Sequence, residues 1–433
     1  MARLRRGRYW TRSCSRWFGQ RKIWVVTGGL LAGVCLLAVV CTSRREAEPI
    51  RNIYGEAFAG SEACRSCHRA IYDSFMATAH FHDSRPATAA TIKGSFRSDS
   101  NRFVYGRDIE VRMERRDSGF YQVATHRSEA FGVVIGSGRR GQSYLYWSGE
   151  KLYQLPVSYF TPLHVWVNSP GFTADSPVFG RRVPAQCLEC HATQATRVVN
   201  PSKEYGDFFD STKIVYGITC ERCHGPGARH IAFHQENPGQ HAGVYILNAG
   251  RLSRRQQLDA CALCHSGSRY PLKPAFTFRV GDSLDEFSQA KYTPTAVSTL
   301  DVHGNQYGLL TASKCFRFSD ITCGTCHAVH QRQENDLKAY SMRCMNCHNG
   351  KDHPSCTMPA TKGLVLADNC IDCHMPVLPS QRIRLELSNT ADTGRVVANL
   401  VRTHRIAVYP DAVKVFLAGL SKAGSSAGAP GRR

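Results

Sequence analysis

Residues 220–230 are Cys220-Glu-Arg-Cys223-His224-Gly-Pro-Gly-Ala-Arg-His230. Two cysteines separated by two residues can form thioethers with the two vinyl groups on one edge of a porphyrin, and the histidine that follows can bind the iron. The Cys-x-x-Cys-His pattern is therefore typical of a c-type haem attachment site. The Gly-Pro-Gly turn directs His230 away from its own motif. We expect His230 to bind the iron of a neighbouring motif.

The same pattern occurs seven times, and a random chain with 19 Cys and 18 His in 433 residues would contain roughly 0.03 copies. We predict seven covalently attached haem c groups, with each motif histidine as proximal iron ligand. A zinc site or a redox dithiol also uses Cys-x-x-Cys, but neither requires a histidine after every pair. Motifs 1 to 7, in chain order, are Cys64-x-x-Cys67-His68, Cys187-x-x-Cys190-His191, Cys220-x-x-Cys223-His224, Cys261-x-x-Cys264-His265, Cys323-x-x-Cys326-His327, Cys344-x-x-Cys347-His348 and Cys370-x-x-Cys373-His374.

Eleven histidines lie outside the motifs, and six of them are candidate second axial ligands. Iron with two imidazoles changes its geometry little on reduction, which favours electron transfer, whereas iron with an open face can bind a substrate. Six candidates for seven irons leave one iron five-coordinate, or bound by Met358 or Met375. We interpret the other histidines as surface or core residues, apart from His82, the alternative to His80. The six candidates are His80, His230, His303, His330, His353 and His404.

The formal charge of +21 resembles that of a nucleic-acid-binding or membrane-surface protein. Residues 1–22 contain eight basic side chains and no acidic one, and the rest of the chain carries +13. Seven ferric haems, each with two ionised propionates, would reduce this to about +6. Many Arg and Lys side chains are explained as propionate partners, since a guanidinium matches a carboxylate. We therefore do not predict nucleic-acid binding.

Residues 23–43, IWVVTGGLLAGVCLLAVVCTS, are uncharged and long enough to span a bilayer. The basic arm 1–22 then predicts a cytoplasmic N-terminus. A cleaved signal peptide is the main alternative, although no Ala-x-Ala site is present. Val40 before Cys41 makes a poor lipoprotein site. Each alternative places the haem domain in the periplasm, and we favour an uncleaved anchor in the inner membrane.

The rest of the chain alternates motif-rich and motif-poor segments. Because porphyrins would supply much of the apolar interior, the polypeptide between motifs can be short and irregular. Residues 144–155, YLYWSGEKLYQL, predict a β-hairpin within a long segment that lacks motifs. The predicted fold is a multihaem cytochrome c, mainly α and irregular and packed around haems, with an antiparallel β-rich insertion and an N-terminal transmembrane helix. The predicted segments are a polar linker (44–57), a first haem-binding segment (58–95), the β-rich insertion (96–180), a six-haem body (181–410) and a disordered tail (421–433).

Three local features complete the prediction. Ser61 is placed to cap a helix that carries motif 1. An apolar stretch from Val408 to Leu420 predicts a second helix. Cys315 and Cys356 lie outside the motifs on the exported part of the chain, where disulfides persist, and they form either a bridge or two free thiols.

The extended motifs resemble those of cytochrome c-554-like multihaem cytochromes, a group related to hydroxylamine oxidoreductase and the octahaem reductases. The CHGPGxxH and CHMP extensions are the most specific part of this resemblance, which covers roughly residues 58–410. The segments that carry it are Gly60–His68, Ile135–Tyr144, Cys220–His230, Cys323–His330, Cys370–Pro376 and Thr403–Ile406.

The resemblance implies periplasmic electron transfer through closely stacked haems, most of them with two histidine ligands. It also implies that His230 and His330 are distal ligands. The CxxCK motif of ammonia-forming nitrite reductases is absent from the sequence. We therefore predict a membrane-tethered periplasmic heptahaem cytochrome that carries electrons between periplasmic or membrane redox proteins, with no catalytic residue assigned. The alternative is a reductase or oxidase of a small nitrogen or sulfur compound at one open haem.

Overall fold

The computed structural model describes residues 48–106, 109–173, 175–199, 204–291, 300–333, 336–354, 356, 358, 368–388 and 396–426. Its contacts divide the chain into two compact units, Met1–Pro49 and Ile50–Arg433. Every element below belongs to the second unit. No helix in the described ranges is long and apolar enough to cross a membrane. The predicted anchor at 23–43 lies outside those ranges.

The first helix, α1 (Ser61–Phe75), carries motif 1. The sequence predicted Ser61 as its cap, but the N-cap is Gly60, with a φ of 80° and no side-chain cap. The carboxylate of Glu221 instead accepts hydrogen bonds from the backbone N–H groups of Ala59 and Gly60. Tyr72 and Phe75 form the buried face of α1, at the helical spacing of its apolar residues.

Ten antiparallel strands follow α1 and form two sheets. The larger sheet has the order β1-β6-β7-β9-β10, with β8 also paired to β7, and the smaller has the order β2-β3-β4-β5. The predicted hairpin is present, with Trp147 opposite Leu152. The strands are β1 (Ser84–Pro86), β2 (Arg102–Val104), β3 (Glu110–Arg116), β4 (Gly119–Ala124), β5 (Arg127–Ala130), β6 (Val133–Ile135), β7 (Gly141–Ser148), β8 (Lys151–Gln154), β9 (Val157–Phe160) and β10 (Val165–Asn168).

The largest apolar core lies in these sheets. Phe131, Tyr144 and Trp166 meet edge-on or tilted, with ring centroids 4.6–6.4 Å apart. Tyr105 is fully buried, and its hydroxyl donates to the carbonyl of Pro156. Since aromatic side chains bury large apolar areas, this cluster stabilises the β region without any contribution from a motif.

Short helices and two-stranded hairpins make up the rest of the unit. Each motif from the second to the seventh lies in, or beside, a short helix. The helices are α2 (Ala185–His191), α3 (Cys220–His224), α4 (Ala228–Glu236), α5 (Arg254–His265), α6 (Gln306–Thr311), α7 (Lys314–Arg317), α8 (Cys323–Cys326), α9 (Leu337–Met345), α10 (Ile371–His374) and α11 (Pro410–Ser426). The strands are β11 (Ala192–Arg197), β12 (Phe209–Tyr216), β13 (Arg269–Pro271), β14 (Ser288–Ala290), β15 (Val377–Glu386) and β16 (Val396–Arg402), paired in sequence order.

The helix predicted from Val408 to Leu420 is present as α11 and continues to Ser426. The predicted disordered tail (421–433) overlaps this helix at residues 421–426 and otherwise stays a prediction. Residues 427–433 lie outside the described ranges.

Candidate haem-binding site

A helical turn explains how each motif presents its three functional side chains. Residues at i, i+3 and i+4 lie on one face of an α-helix. In α3, this brings Cys220, Cys223 and His224 to the same side of a five-residue helix. The helices α2, α5 and α10 likewise end at their motif histidine. Two thiols and one imidazole are thus presented together, as a porphyrin edge and its iron require.

Four motif histidines face a second imidazole. Because a metal–imidazole bond is about 2.0–2.1 Å, two imidazoles on opposite sides of one metal ion have ring centroids about 6 Å apart. The recorded separations are 5.7–6.2 Å, so these pairs fit a shared iron. They are His265 with His80, His224 with His330, His327 with His404, and His348 with His353.

The relative orientation of the rings differs among the pairs. The planes of His224 and His330 are 13° apart, and those of His327 and His404 are 24° apart. The planes of His80 and His265 are 77° apart. The structure therefore holds nearly parallel and nearly perpendicular imidazole pairs.

Hydrogen bonds orient six of the seven motif histidines. The Nδ1 atoms of His224 and His374 lie 2.8 and 3.0 Å from the backbone carbonyls of Leu247 and Ala407. A carbonyl can only accept, so Nδ1 carries the proton and Nε2 is left to bind a metal. The other Nδ1 partners are the Asp83 carboxylate for His191, the Gln306 amide oxygen for His265, the Tyr340 hydroxyl for His327 and the Pro354 carbonyl for His348.

Contacts between motif cysteines connect all seven motifs. A thiol–thiol hydrogen bond between Cys64 and Cys220 raises the pKa of Cys64 and lowers that of Cys220 to about 6, which joins motifs 1 and 3. Similar hydrogen bonds join motifs 2 and 4, 4 and 5, and 6 and 7. Electrostatic contacts join motif 3 to motif 4 and motif 5 to motif 6. The cysteine contacts thus give the order 1-3-4-5-6-7, with motif 2 joined to motif 4, and Arg222 of motif 3 also donates to the backbone carbonyl of Glu189 in motif 2.

The surroundings of the motif side chains also fit a large prosthetic group. Cys223 and His80 are accessible by surface area. Burial by the surrounding protein nevertheless raises the pKa of Cys223 and lowers that of His80, as for side chains that line a cleft. A cavity of about 670 Å³ adjoins motif 3 and is lined by Cys223, His224 and several arginines, including Arg222 and Arg229. A porphyrin with anionic propionates suits such a lining.

The two remaining distal candidates, His230 and His303, are not members of the four imidazole pairs. The imidazole of His230 packs 4.6 Å from that of His234, and its Nδ1 donates to the carbonyl of Val244. Burial lowers the pKa of His303, Asp301 raises it, and Arg140, His191 and His265 lower it further. Among the described histidines, which include all 18, no second imidazole faces His68, His191 or His374 at about 6 Å. Motifs 1, 2 and 7 therefore have no axial partner identified by geometry.

Sequence reasoning missed the residues that orient the histidines. Asp83 lies three residues after His80, a short spacing that could have drawn attention to it. The amide nitrogen of Asn399 lies 3.4 Å from Nδ1 of His303, and the buried Oδ1 of Asn399 has no hydrogen-bond partner among the described residues. With the amide rotated, Oδ1 accepts from His303. The hairpin β15–β16 thus orients a distal candidate, which no local pattern predicts.

Of the cysteines outside the motifs, Cys315 and Cys356 lie in the described ranges, and both are free thiols in the structure. Cys315 contacts Cys326 and Cys344 electrostatically, whereas Cys356 lies near Cys373. Of the two alternatives that the sequence left open, the structure has the free thiols. No group of three or more His, Cys, Asp or Glu in the described ranges is arranged to hold a metal ion unaided.

Comparisons with known proteins identify the class of protein. Residues 176–225, which contain motifs 2 and 3, match the family model described as cytochrome c554 and c-prime. The chain is 27% identical over 194 residues to the multiheme cytochrome MtrA of Shewanella baltica (strain OS185), covering 43% of this chain and 51% of MtrA. It is 28% identical over 165 residues to the C-type polyheme cytochrome OmcC of Geobacter sulfurreducens (strain ATCC 51573 / DSM 12127 / PCA), covering 33% of this chain and 20% of OmcC. The chain thus matches about half of one curated relative and a fifth of the other.

The crystal structure of the outer cell wall cytochrome OcwA superimposes with a TM-score of 0.52 at 16% identity, covering 83% of this chain and 81% of OcwA. This likeness supports the fold. The chain is a multihaem c-type cytochrome, and the resemblance predicted from its motifs is confirmed at that level. Helices and antiparallel sheets are confirmed as its architecture, and haem c as its cofactor.

Proposed function

We propose that this protein is a heptahaem electron carrier, tethered to the inner membrane by residues 23–43 and facing the periplasm. When bound, haem c supplies a one-electron Fe(III)/Fe(II) couple at each motif. The observation that carries the proposal is the set of four imidazole pairs at 5.7–6.2 Å. Two fixed imidazoles per iron leave no position for a substrate and keep the ligand geometry constant during oxidation and reduction.

The contacts between motifs support the same function. Thiols from different motifs are in direct contact, so no other part of the chain lies between them. The imidazoles also cross between motifs, since His330 follows motif 5 and faces the histidine of motif 3. These side chains hold neighbouring prosthetic groups at short range, as electron transfer between them requires. Redox proteins of the periplasm or membrane are the proposed partners.

A second function, reduction or oxidation of a small nitrogen or sulfur compound, has one observation in its favour. His68, His191 and His374 lack a facing imidazole among the described residues, and of the six predicted distal histidines only His230 and His303 remain for them. One motif is therefore left with a methionine or an open position. Such a position is where a small molecule would bind.

A spectroscopic redox titration separates the two functions. The holoprotein is assayed for haem content by pyridine haemochrome and by mass, and each haem is assigned a spin state by electron paramagnetic resonance. We expect seven haems, predominantly low-spin, with spectra that nitrite and hydroxylamine leave unchanged. A high-spin component that shifts with either compound would favour the enzyme. Fewer than seven haems would contradict the heptahaem assignment.

A further inference from the structure

One motif histidine differs from the others in its hydrogen-bond partner. Nδ1 of His191 lies 2.9 Å from the Oδ2 carboxylate oxygen of Asp83. The partners recorded for the other motif histidines are neutral: carbonyl oxygens, an amide oxygen and a hydroxyl. For His68 no Nδ1 partner is recorded among the described residues. The carboxylate therefore distinguishes motif 2 from every other motif with a described partner.

The segment that carries Asp83 is held on both sides. Its backbone N–H donates to the carbonyl of His80, and its own carbonyl accepts from Gly136 at the end of β6. The neighbouring hydroxyl of Ser84 accepts from the backbone of Gly217. Asp83 is thus fixed by β6 and by the end of β12, and its side chain is 24% exposed. The contact with His191 is positioned by the fold and not by a mobile loop.

The same short segment serves two adjacent motifs. His80 faces His265 of motif 4, and Asp83 faces His191 of motif 2. Motifs 2 and 4 are neighbours through the hydrogen bond between Cys190 and Cys264. Residues 80–83 are therefore placed to give two neighbouring centres different ligand environments.

We propose that Asp83 is a positioning residue that makes the motif 2 centre the one with the lowest reduction potential. A carboxylate that accepts the Nδ1 proton gives the imidazole anionic character and makes Nε2 a stronger donor. A stronger axial donor stabilises Fe(III) relative to Fe(II), and axial ligands and their hydrogen bonds set the potential. A neutral acceptor has this effect more weakly. The inference rests on the proposed electron-transfer function, which it deepens by ordering the centres.

The test is a mediated redox titration of the holoprotein and of three variants. Asp83→Asn removes the charge and keeps the shape, Asp83→Glu keeps the carboxylate, and Asp99→Asn removes an exposed carboxylate that lies before β2, outside every motif, as a control. We expect the lowest midpoint of the titration to rise in D83N, to return toward the original value in D83E and to stay constant in D99N. Pyridine haemochrome should give the same haem content in all four proteins.

The results that would overturn the inference are specific. An unchanged lowest midpoint in D83N with full haem content would show that the carboxylate does not set it. Equal shifts in D83N and D83E would assign the effect to packing. If D83N does not assemble, Asp83→Ser, which is smaller and neutral, is measured against the same criterion. Since mediators equilibrate every centre, the potentials are obtained even if the protein has no role as an electron carrier.

Discussion

The contacts of each motif histidine determine whether it can bind iron. Each motif histidine needs an acceptor for its Nδ1 proton and a second imidazole about 6 Å away, and the structure supplies both for motifs 3 to 6. Burial, with the charge of His327, lowers the pKa of His404 to about 4, so this imidazole is neutral at physiological pH. A neutral ring is the form that can bind a metal.

Replacing a distal histidine should change the spin state of one centre only. His330→Ala removes the imidazole that faces His224, but leaves the thiols and histidine of motif 3 intact. We expect unchanged haem content and one new high-spin signal in electron paramagnetic resonance. His241→Ala, at an exposed histidine with no ring contact among the described residues, is the control and should leave the spectrum unchanged. An unaltered low-spin spectrum in H330A would remove His330 from the ligand set.

At the scale of elements, close backbone contacts position the ligands. Gly217, directly after β12, has a φ of 71°, and a Cβ at this position would overlap the carbonyl oxygen of Phe81. The backbone N–H of Ile218 donates to the carbonyl of His80. The segment that presents His80 to motif 4 is thus packed against a glycine that no larger residue can replace without movement.

Gly217→Ala should therefore alter a haem site that it does not touch. The left-handed conformation alone costs roughly 1–2 kcal/mol in either Gly217→Ala or Gly149→Ala, but only the first also displaces Phe81. We expect both variants to lose stability in urea unfolding, and G217A to lose more. Only G217A should show a new high-spin signal, from the displacement of His80. Identical spectra for the two variants would mean that Gly217 does not position His80.

Glu221 is a second link between elements. It lies inside motif 3, is 3% exposed, and accepts hydrogen bonds from the backbones of Ala59, Gly60 and Gly227. Hydrogen bonds to a charged group contribute roughly 1.5–3 kcal/mol. Glu221→Gln should therefore destabilise the fold by about this amount in urea unfolding, whereas the exposed Glu236→Gln should have little effect. Equal midpoints for the two variants would contradict a structural role for Glu221.

Local patterns predicted the parts of this structure that depend on local chemistry. The seven motifs, the 144–155 hairpin and the C-terminal helix follow from spacing and turn chemistry, which residues close in sequence determine. The pairing of His80 with His265 and the contact of Asp83 with His191 join residues 185 and 108 positions apart. Nothing in the sequence near either residue specifies its partner. The α1 cap was mispredicted for the same reason, because Glu221 comes from another motif.

At the scale of the whole molecule, two kinds of interior are present. The largest apolar cluster comes from residues 92–179, and it includes Phe103, Tyr144 and Trp166. By contrast, α4 and α8 contain no buried residue, and α9 buries only a serine. Isolated helices of this length are marginal in water. The β region can therefore be stabilised by its own side chains, whereas α4, α8 and α9 gain little stability from buried side chains of their own.

Protein produced without haem attachment should accordingly be folded only in part. We expect limited proteolysis of residues 50–433 made in a haem-free cytoplasm to leave a resistant fragment that contains β1–β10 and to cleave α4, α8 and α9 rapidly. The holoprotein, digested in parallel, should resist cleavage at all these helices, because thioethers and axial bonds tie them to the interior. Mass spectrometry of the fragments gives the boundaries. Equal cleavage rates within residues 84–168 and within α4 would show that the aromatic core does not fold without the haems, and that the prosthetic groups stabilise both interiors.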